Sequence, residues 1–224
     1  MKKRTLMSWS SGKDSAWALY QLQKDPEIEL VGLFCTVNQE FNRVAMHGVR
    51  VELLKEQAKS LDLPLQIIEI PNPCNNAIYE KIMGEFTKKS IKENIEYFAF
   101  GDLFLEDVRQ YREDKLKDSG IKPIFPIWGM ATDKLSREMI RQGLRTVITC
   151  IDPKQISENF IGKEFDSNFL DTLPKNVDPC GENGEFHSFV FDGPMFSDKI
   201  EILTGEIVER DGFIFVDIMQ QVPK

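Results

Sequence analysis

Two short stretches concentrate the side chains that could do chemistry. The first is Leu6-Met7-Ser8-Trp9-Ser10-Ser11-Gly12-Lys13-Asp14-Ser15, an apolar run that breaks into small polar residues and then opens a helical pattern. A strand, a phosphate-sized turn and a helix start would offer successive backbone N–H groups, the hydroxyls of Ser10, Ser11 and Ser15, and the Lys13 ammonium near the positive end of a helix dipole. Such a place suits an anion. The second stretch is Asp178-Pro179-Cys180-Gly181-Glu182-Asn183-Gly184-Glu185-Phe186-His187-Ser188, which holds one of the chain's 2 histidines. A turn uses Gly and Asn, but it has no need of Glu182, Glu185 and His187 gathered together. The blander reading is a polar surface turn with a partly buried histidine.

The first stretch matches neither of two common phosphate motifs. A Walker loop requires Gly-Lys followed directly by Ser or Thr, and here Asp14 intervenes while Met7 stands where the first Gly belongs. A dinucleotide fingerprint needs three glycines, and this turn has only Gly12. What Ser10-Ser11-Gly12-Lys13-Asp14-Ser15 does resemble is the PP-loop of ATP pyrophosphatases, S-G-G-x-D-S, with Ser11 standing where the first Gly is usual. In that superfamily the loop holds the β,γ-pyrophosphate while the α-phosphorus is attacked. Serine accepts unusual φ angles less readily than glycine, so this turn is either less tight or gains a hydroxyl for its cradle. A plain Ser-rich helix start before Trp17-Ala18-Leu19 is the alternative.

Composition narrows the class. The 224 residues suffice for one sizeable core with a smaller appendage, and 42% hydrophobic with 29% charged residues is ordinary for a globular protein. A net charge of −8 disfavours nucleic acid as the main partner, because affinity for a phosphate backbone comes from clustered Lys and Arg. Met1-Lys2-Lys3-Arg4 is basic like a signal peptide, yet the apolar run behind it stops at Trp9 without a small-residue cleavage site. No run approaches membrane-spanning length, so the expectation is a cytoplasmic protein without membrane contact. Cys35, Cys74, Cys150 and Cys180 lie far apart, which argues against a zinc knuckle or a disulfide scaffold, and Cys35 and Cys150 read as buried strand thiols.

Certain elements must then position the two stretches. Residues 14–24 form a helix, 30–37 a continuous apolar strand covered on both faces, 48–61 a second helix and 65–70 a third strand, which is the rhythm of a parallel sheet. Residues 75–93 read as a helix, and Tyr97-Phe98-Ala99-Phe100 as a short buried strand ending at Gly101-Asp102. Ligands of open α/β sheets bind beyond the carboxyl ends of strands, so Gly101-Asp102 and the Ser10 turn could face one pocket. Asp102 could serve magnesium or a phosphate-side group, or simply cap a helix from Leu103 to Ser119. On that helix Glu106, Asp107, Arg109 and Arg112 read as a solvated face, with Arg109 the best candidate to turn inward. After an extended segment at 123–129, a helix spans 132–142 and a β-branched strand 145–151, and a helical stretch lies near 166–173. The runs 186–191, 200–203, 206–209 and 213–217, separated by Asp-Gly or Thr-Gly turns, predict antiparallel sheet.

The PP-loop, the Met46-His47 segment, Gly101-Asp102-Leu103, Pro126-Ile127-Trp128-Gly129 and Gly181-Glu182-Asn183-Gly184-Glu185-Phe186-His187 occur in the order of the diphthine–ammonia ligase family, which the chain resembles over almost its whole length. The stretch 45–50 and the compact length look closest to the family's bacterial relatives. The resemblance implies an α/β fold with a five-stranded parallel sheet of the adenine nucleotide α hydrolase (HUP, Rossmann-like) type and a small C-terminal α+β domain. It divides the chain into a PP-loop ATP-binding domain at 1–130 and a substrate-binding domain at 131–224. It further implies an ATP-dependent, AMP-forming amide ligase using ATP, Mg²⁺, ammonium and a carboxylate, either a diphthine-like side chain or, for a bacterial chain, another small molecule.

Under that resemblance Ser10, Ser11, Gly12, Lys13, Asp14, Ser15, Gly101 and Asp102 bind the nucleotide, and Asp14 and Asp102 steer Mg²⁺ or Lys13. His47, Gly181, Glu182, Asn183, Gly184 and Glu185 hold the substrate or ammonium. Lys13, Asp14, Asp102, Glu182, Glu185 and His187 carry the catalysis, with His47 or His187 taking a proton near neutral pH. Other readings are RNA thiolation, for which paired cysteines and a basic extension are missing, and a non-catalytic adenine-nucleotide sensor. A homodimer is an assembly the resemblance allows.

Overall fold

The computed structural model of the chain describes residues 2–44 and 47–221. Ala45 and Met46, from the segment before His47, lie outside the described residues. The first half alternates β1 (Lys3–Ser8), α1 (Lys13–Lys24), β2 (Ile28–Asn38), a short β3 (Arg43–Val44), α2 (Val51–Ser60), β4 (Leu65–Ile70), α3 (Asn76–Lys92), β5 (Tyr97–Ala99), α4 (Glu106–Leu116) and β6 (Lys122–Ile124). The five parallel strands lie in the order β4-β2-β1-β5-β6, with β3 an antiparallel addition of 2 residues at the end of β2. The order reverses between β1 and β5, so the crevice beyond those two strand ends is the topological switch point where such sheets bind ligands.

The second half holds α5 (Thr132–Arg141), β7 (Arg145–Ile151), a 3-10 turn (Glu158–Phe160), α6 (Ser167–Thr172), β8 (Phe186–Asp192), β9 (Ile202–Arg210) and β10 (Phe213–Gln220). Its four strands form an antiparallel sheet in the order β8-β7-β10-β9. In place of the predicted strands 200–203 and 206–209 there is a single strand, β9, because Thr204 pairs with Ile218 of β10 and the chain passes Gly205 through an irregularity in the pairing instead of turning. Two predicted helices are shorter than expected. α2 begins at Val51, since Gly48 takes φ +65° and residues 43 and 50 bridge each other first, and α4 begins at Glu106 with Leu105 at its N-cap.

One apolar core joins the two sheets. The apolar faces of α1 and α2 bury Trp17, Leu19, Leu53 and Leu54 against Phe189, Val190, Val216 and Ile218 of the second sheet. That packing brings β8 alongside the first β–α junction, where the Val190 N–H donates to the Ser11 carbonyl at 3.0 Å. The opposite face of the parallel sheet is aromatic, with Phe34, Phe86, Phe98 and Phe100 clustered under α3. A third cluster around Phe160, Phe165, Phe169 and Phe186 supports β8 from behind. Cys35 in β2 and Cys150 in β7 are buried thiols, and burial pushes each up to about 12.

Candidate functional site

The turn after β1 is held by its own polar atoms. The Ser15 hydroxyl donates to the Gly12 carbonyl at 2.9 Å, so the 3.0 Å contact between the Ser10 and Ser15 hydroxyls must be donated by Ser10. Gly12 is the N-cap of α1 and offers no side chain of its own; the Gly12 N–H donates to Ser10 Oγ and the Lys13 N–H to Ser188 Oγ, each at 3.3 Å, long bonds that an anion at this helix start would displace. Ser11 sits in the left-handed region at φ +69°, a conformation that costs an L-residue about 1–2 kcal/mol. It is fully buried, and its hydroxyl has no partner. The turn is thus as tight as a glycine would make it, with the strain carried by a serine.

Two glycines permit close approach. A β-carbon at Gly12 would stand 2.6 Å from Cε1 of His47, and one at Gly101 would stand 2.8 Å from backbone atoms of Asp14 and Ser15. Gly101 therefore lets the end of β5 touch the start of α1, which closes the switch-point crevice.

Around this point lies a cavity of about 390 Å³ whose walls include Ser10, Lys13, Asp14, Ser15, His47, Gly101, Asp102, Gly181, Glu182 and His187. These residues come from four separate parts of the chain. Past Phe34, Tyr79, Met83, Phe100 and Arg112 it adjoins a more apolar groove of about 460 Å³ between α3 and α4. Ser11, Gly12, Asn183, Gly184 and Glu185 do not line the cavity.

Lys13 is buried, its ammonium donating to Asp14 Oδ2 at 2.8 Å and to the Cys180 carbonyl while lying over the rings of Phe165 and Phe186. Burial alone would lower its pKa, but Asp14, Cys180 and Glu182 raise it above the ordinary lysine value. Lysine has three N–H donors, so one remains for a ligand. Asp14 Oδ1 is likewise buried without a partner.

Asp102 does not cap α4. Both of its oxygens accept from Arg112, Nε at 2.6 Å and Nη2 at 3.0 Å, and the guanidinium lies 4.2 Å over the Phe100 ring. Arg112 is the helix residue that joins the site. Arg109 instead pairs with Glu113 and packs over Phe125 and Trp128.

The 178–188 turn divides its acids. Glu182 faces the cavity, accepts from the Leu103 N–H at 2.7 Å, and is pushed up to about 7 by burial and by Asp14. Glu185 is buried behind the turn, where Oε1 accepts from the Asp178 N–H at 2.8 Å and from Asn183 Nδ2 at 3.1 Å. Glu185, Asn183 and Gly184 at φ +84° thus shape the turn and lie off the cavity wall. The two imidazoles lie with ring centres 4.8 Å apart, and His47 Nδ1–H donates to the Ser188 carbonyl at 2.9 Å. Burial and the Lys13 charge lower His47 to about 4; burial, His47 and Lys13 lower His187 to about 3. Both shifts make the imidazoles weaker proton acceptors than ordinary histidines. His187 Nε2 is buried without a partner.

Sequence reasoning missed Arg112, Tyr79, Ser188 and Gln57. Of these only Gln57 leaves a trace in the sequence: it is a polar residue on the stripe of Leu53, Leu54 and Ala58 that α2 buries.

A five-stranded parallel sheet carrying a Ser-rich turn and helix N-terminus at its switch point, joined to a small antiparallel domain, defines a PP-loop-type Rossmann-like α/β protein. Two domain descriptions match the chain, the diphthamide synthase N-terminal domain over residues 2–123 and the diphthamide synthase C-terminal domain over residues 131–222. The chain belongs to the diphthamide synthase family. Among similar proteins, a diphthine–ammonia ligase of Bos taurus is 26% identical over 93% of this chain and 86% of its own length. The diphthine–ammonia ligase of Schizosaccharomyces pombe is 25% identical over 76% of this chain, and that of Homo sapiens 27% identical over 57%. The match spans 31% of the yeast protein and 49% of the human one. Among the described residues no helix is long and apolar enough to cross a membrane.

Proposed function

We propose that the protein is an ATP-dependent, AMP-forming carbon–nitrogen ligase that joins ammonia to a carboxylate of the diphthine kind. The observation that carries this reading is the convergence of the first β–α junction, Gly101-Asp102 and the Gly181–Ser188 turn on one cavity at the switch point. The names of the relatives supply the substrates: diphthine and ammonia, with ATP as the energy source of the family. In the first step a carboxylate oxygen bonds to the α-phosphorus of ATP and pyrophosphate leaves. In the second, ammonia bonds to the acyl carbon, AMP leaves, and the nitrogen sheds its extra proton.

The chain's own groups suit these steps. The start of α1, its long bonds to Ser10 and Ser188 exchanged for phosphate oxygens, the Ser10 and Ser15 hydroxyls and the third N–H of Lys13 would hold the pyrophosphate end, where negative charge develops. Glu182, near neutrality in its pKa, is the group best placed to accept a proton from the incoming ammonium. The neutral His47 and His187 would act as hydrogen-bonding groups. Among the described residues no three acidic, histidine or cysteine side chains gather as a metal site. Asp14, whose Oδ1 is buried without a partner beside the cavity, would be the residue to hold a magnesium ion that neutralises the phosphates, while Asp102 is held by Arg112. We assign ATP binding to residues 1–130 and substrate binding to 131–224.

The test is incubation with ATP, Mg²⁺, ammonium and a panel of carboxylates, including a diphthine-bearing protein. Formation of AMP and pyrophosphate that depends on the carboxylate is expected, whereas ADP as the product would overturn the reading.

A further inference from the structure

Gln57 is a polar side chain with no exposure, placed at the meeting point of α2, the first β–α junction and the second sheet. Every side-chain polar atom of this residue is engaged. Its Nε2 donates to the Ser11 carbonyl at 3.0 Å and to the Val190 carbonyl at 2.6 Å, and its Oε1 accepts from Trp9 Nε1 at 2.8 Å. Two of these three partners flank the anion turn, and the third belongs to β8, which lies beside it.

Ser11 gives these contacts a purpose. A serine at φ +69° would relax toward negative φ if released, and relaxation would swing the Ser11–Gly12 peptide and with it the N-terminus of α1. Nothing holds Ser11 through its own side chain, since the hydroxyl has no partner. Its carbonyl, however, is gripped from two sides, by Gln57 Nε2 and by the Val190 N–H at 3.0 Å. A buried amide that donates twice in fixed directions can hold that carbonyl in place, whereas an apolar residue of the same size could fill the space without directing it.

We propose that Gln57 is a positioning residue that keeps Ser11 in its left-handed conformation, so that the backbone N–H groups of the turn stay aimed at the phosphate end of the nucleotide. The assignment rests on the nucleotide-binding reading above. It makes α2, which does not itself touch the anion turn through any other side-chain hydrogen bond among the described residues, part of the phosphate grip.

The test compares ATP and adenosine by titration calorimetry on wild type, Gln57→Ala and Gln57→Met, each checked by its melting curve to be folded at the temperature used. Both variants are expected to bind ATP roughly tenfold or more weakly, while adenosine, which lacks the phosphates, keeps its affinity. A second arm places Ser11→Gly or Ser11→Ala in the Gln57→Met background. Glycine accepts the left-handed conformation and is expected to return ATP affinity to the level of Ser11→Gly alone, whereas alanine, which keeps the β-carbon, is not. Equal losses for ATP and adenosine, unchanged ATP affinity, or equal rescue by alanine and glycine would each overturn the assignment. A wild-type protein that binds no ATP would instead overturn the reading on which it rests.

Discussion

The first β–α junction and the 178–188 turn both drew attention by their polar density, and they use it in opposite ways. At the junction backbone N–H groups cluster at a helix start, and the hydroxyls of Ser10, Ser15 and Ser188 hold the turn in shape around them. In the 178–188 turn one acid of the pair, Glu182, faces the cavity, and the other, Glu185, is consumed by the turn's own N–H groups. A backbone site is written in local conformation, so residue types predict it well. A side-chain site depends on which way each residue points, and tight turns satisfy their buried N–H groups with the nearest carboxylate.

The largest expected effect separates the two regions by glycine. Gly101→Ala pushes a β-carbon against backbone of Asp14 and Ser15, so the anion turn must shift, and ATP affinity measured by calorimetry should fall by roughly 100-fold. Gly184→Ala meets open space and carries only the strain of φ +84°, about 1 kcal/mol of stability, with ATP affinity unchanged. Equal affinity losses in the two variants would erase the contrast.

Lys13→Met should be about as damaging, because Lys13 ties the regions together. It strands Asp14 and the Cys180 carbonyl, lowering stability by about 3 kcal/mol in denaturant titrations while abolishing pyrophosphate release. Retained turnover would remove the junction from the chemistry.

Within the second region, Glu185→Ala leaves the Asp178 N–H and Asn183 without their acceptor and should destabilise the fold by about 1–3 kcal/mol. Glu182→Gln should do the reverse at high pH. Because the folded state holds the Glu182 proton up to about 7, against an ordinary value of 4.5, wild-type stability falls as pH rises from 4.5 to 7 and stays reduced above that. The Gln variant should therefore melt a few degrees higher than wild type at pH 8, with the gap closing toward pH 4.5. A gap that widens in acid would mean the carboxylate is stabilised as an anion.

The last contrast concerns the imidazole pair, whose effect appears only in acid. With pKa values lowered to about 4 and about 3, His47 and His187 stay neutral in the folded state while the unfolded chain takes up protons below 6.5. Their contribution is complete above pH 6.5 and is lost as pH falls through the range down to about 3. His187→Gln should flatten the acid side of a melting-temperature profile, and an unchanged slope would assign acid sensitivity elsewhere.

Much of the fold was legible because its signals are local. The apolar run 30–37 and the helical spacing of Leu53, Leu54 and Ala58 identify elements whose burial follows from their own periodicity. Harder to read was Thr204-Gly205, which has turn residues but continues β9, since Thr204 pairs with Ile218 of β10 and Gly205 is absorbed by a shift in register. The roles of Arg109 and Arg112 could not be told apart from sequence, since both lie on one amphipathic helix. Packing on Phe125 and Trp128 took the first, and Asp102 with Phe100 took the second.

By itself, the order of residues determined the parallel-sheet architecture, the anion turn after β1 and the membership of this chain in its family, because each rests on short-range pattern. Only tertiary structure decided that Ser11 adopts a glycine-like conformation, that Gln57 reaches it from another helix, and that Glu182 but not Glu185 meets the cavity. Those outcomes depend on directions of side chains brought together across the chain, and a direction in space is a property of packing that no local spacing encodes.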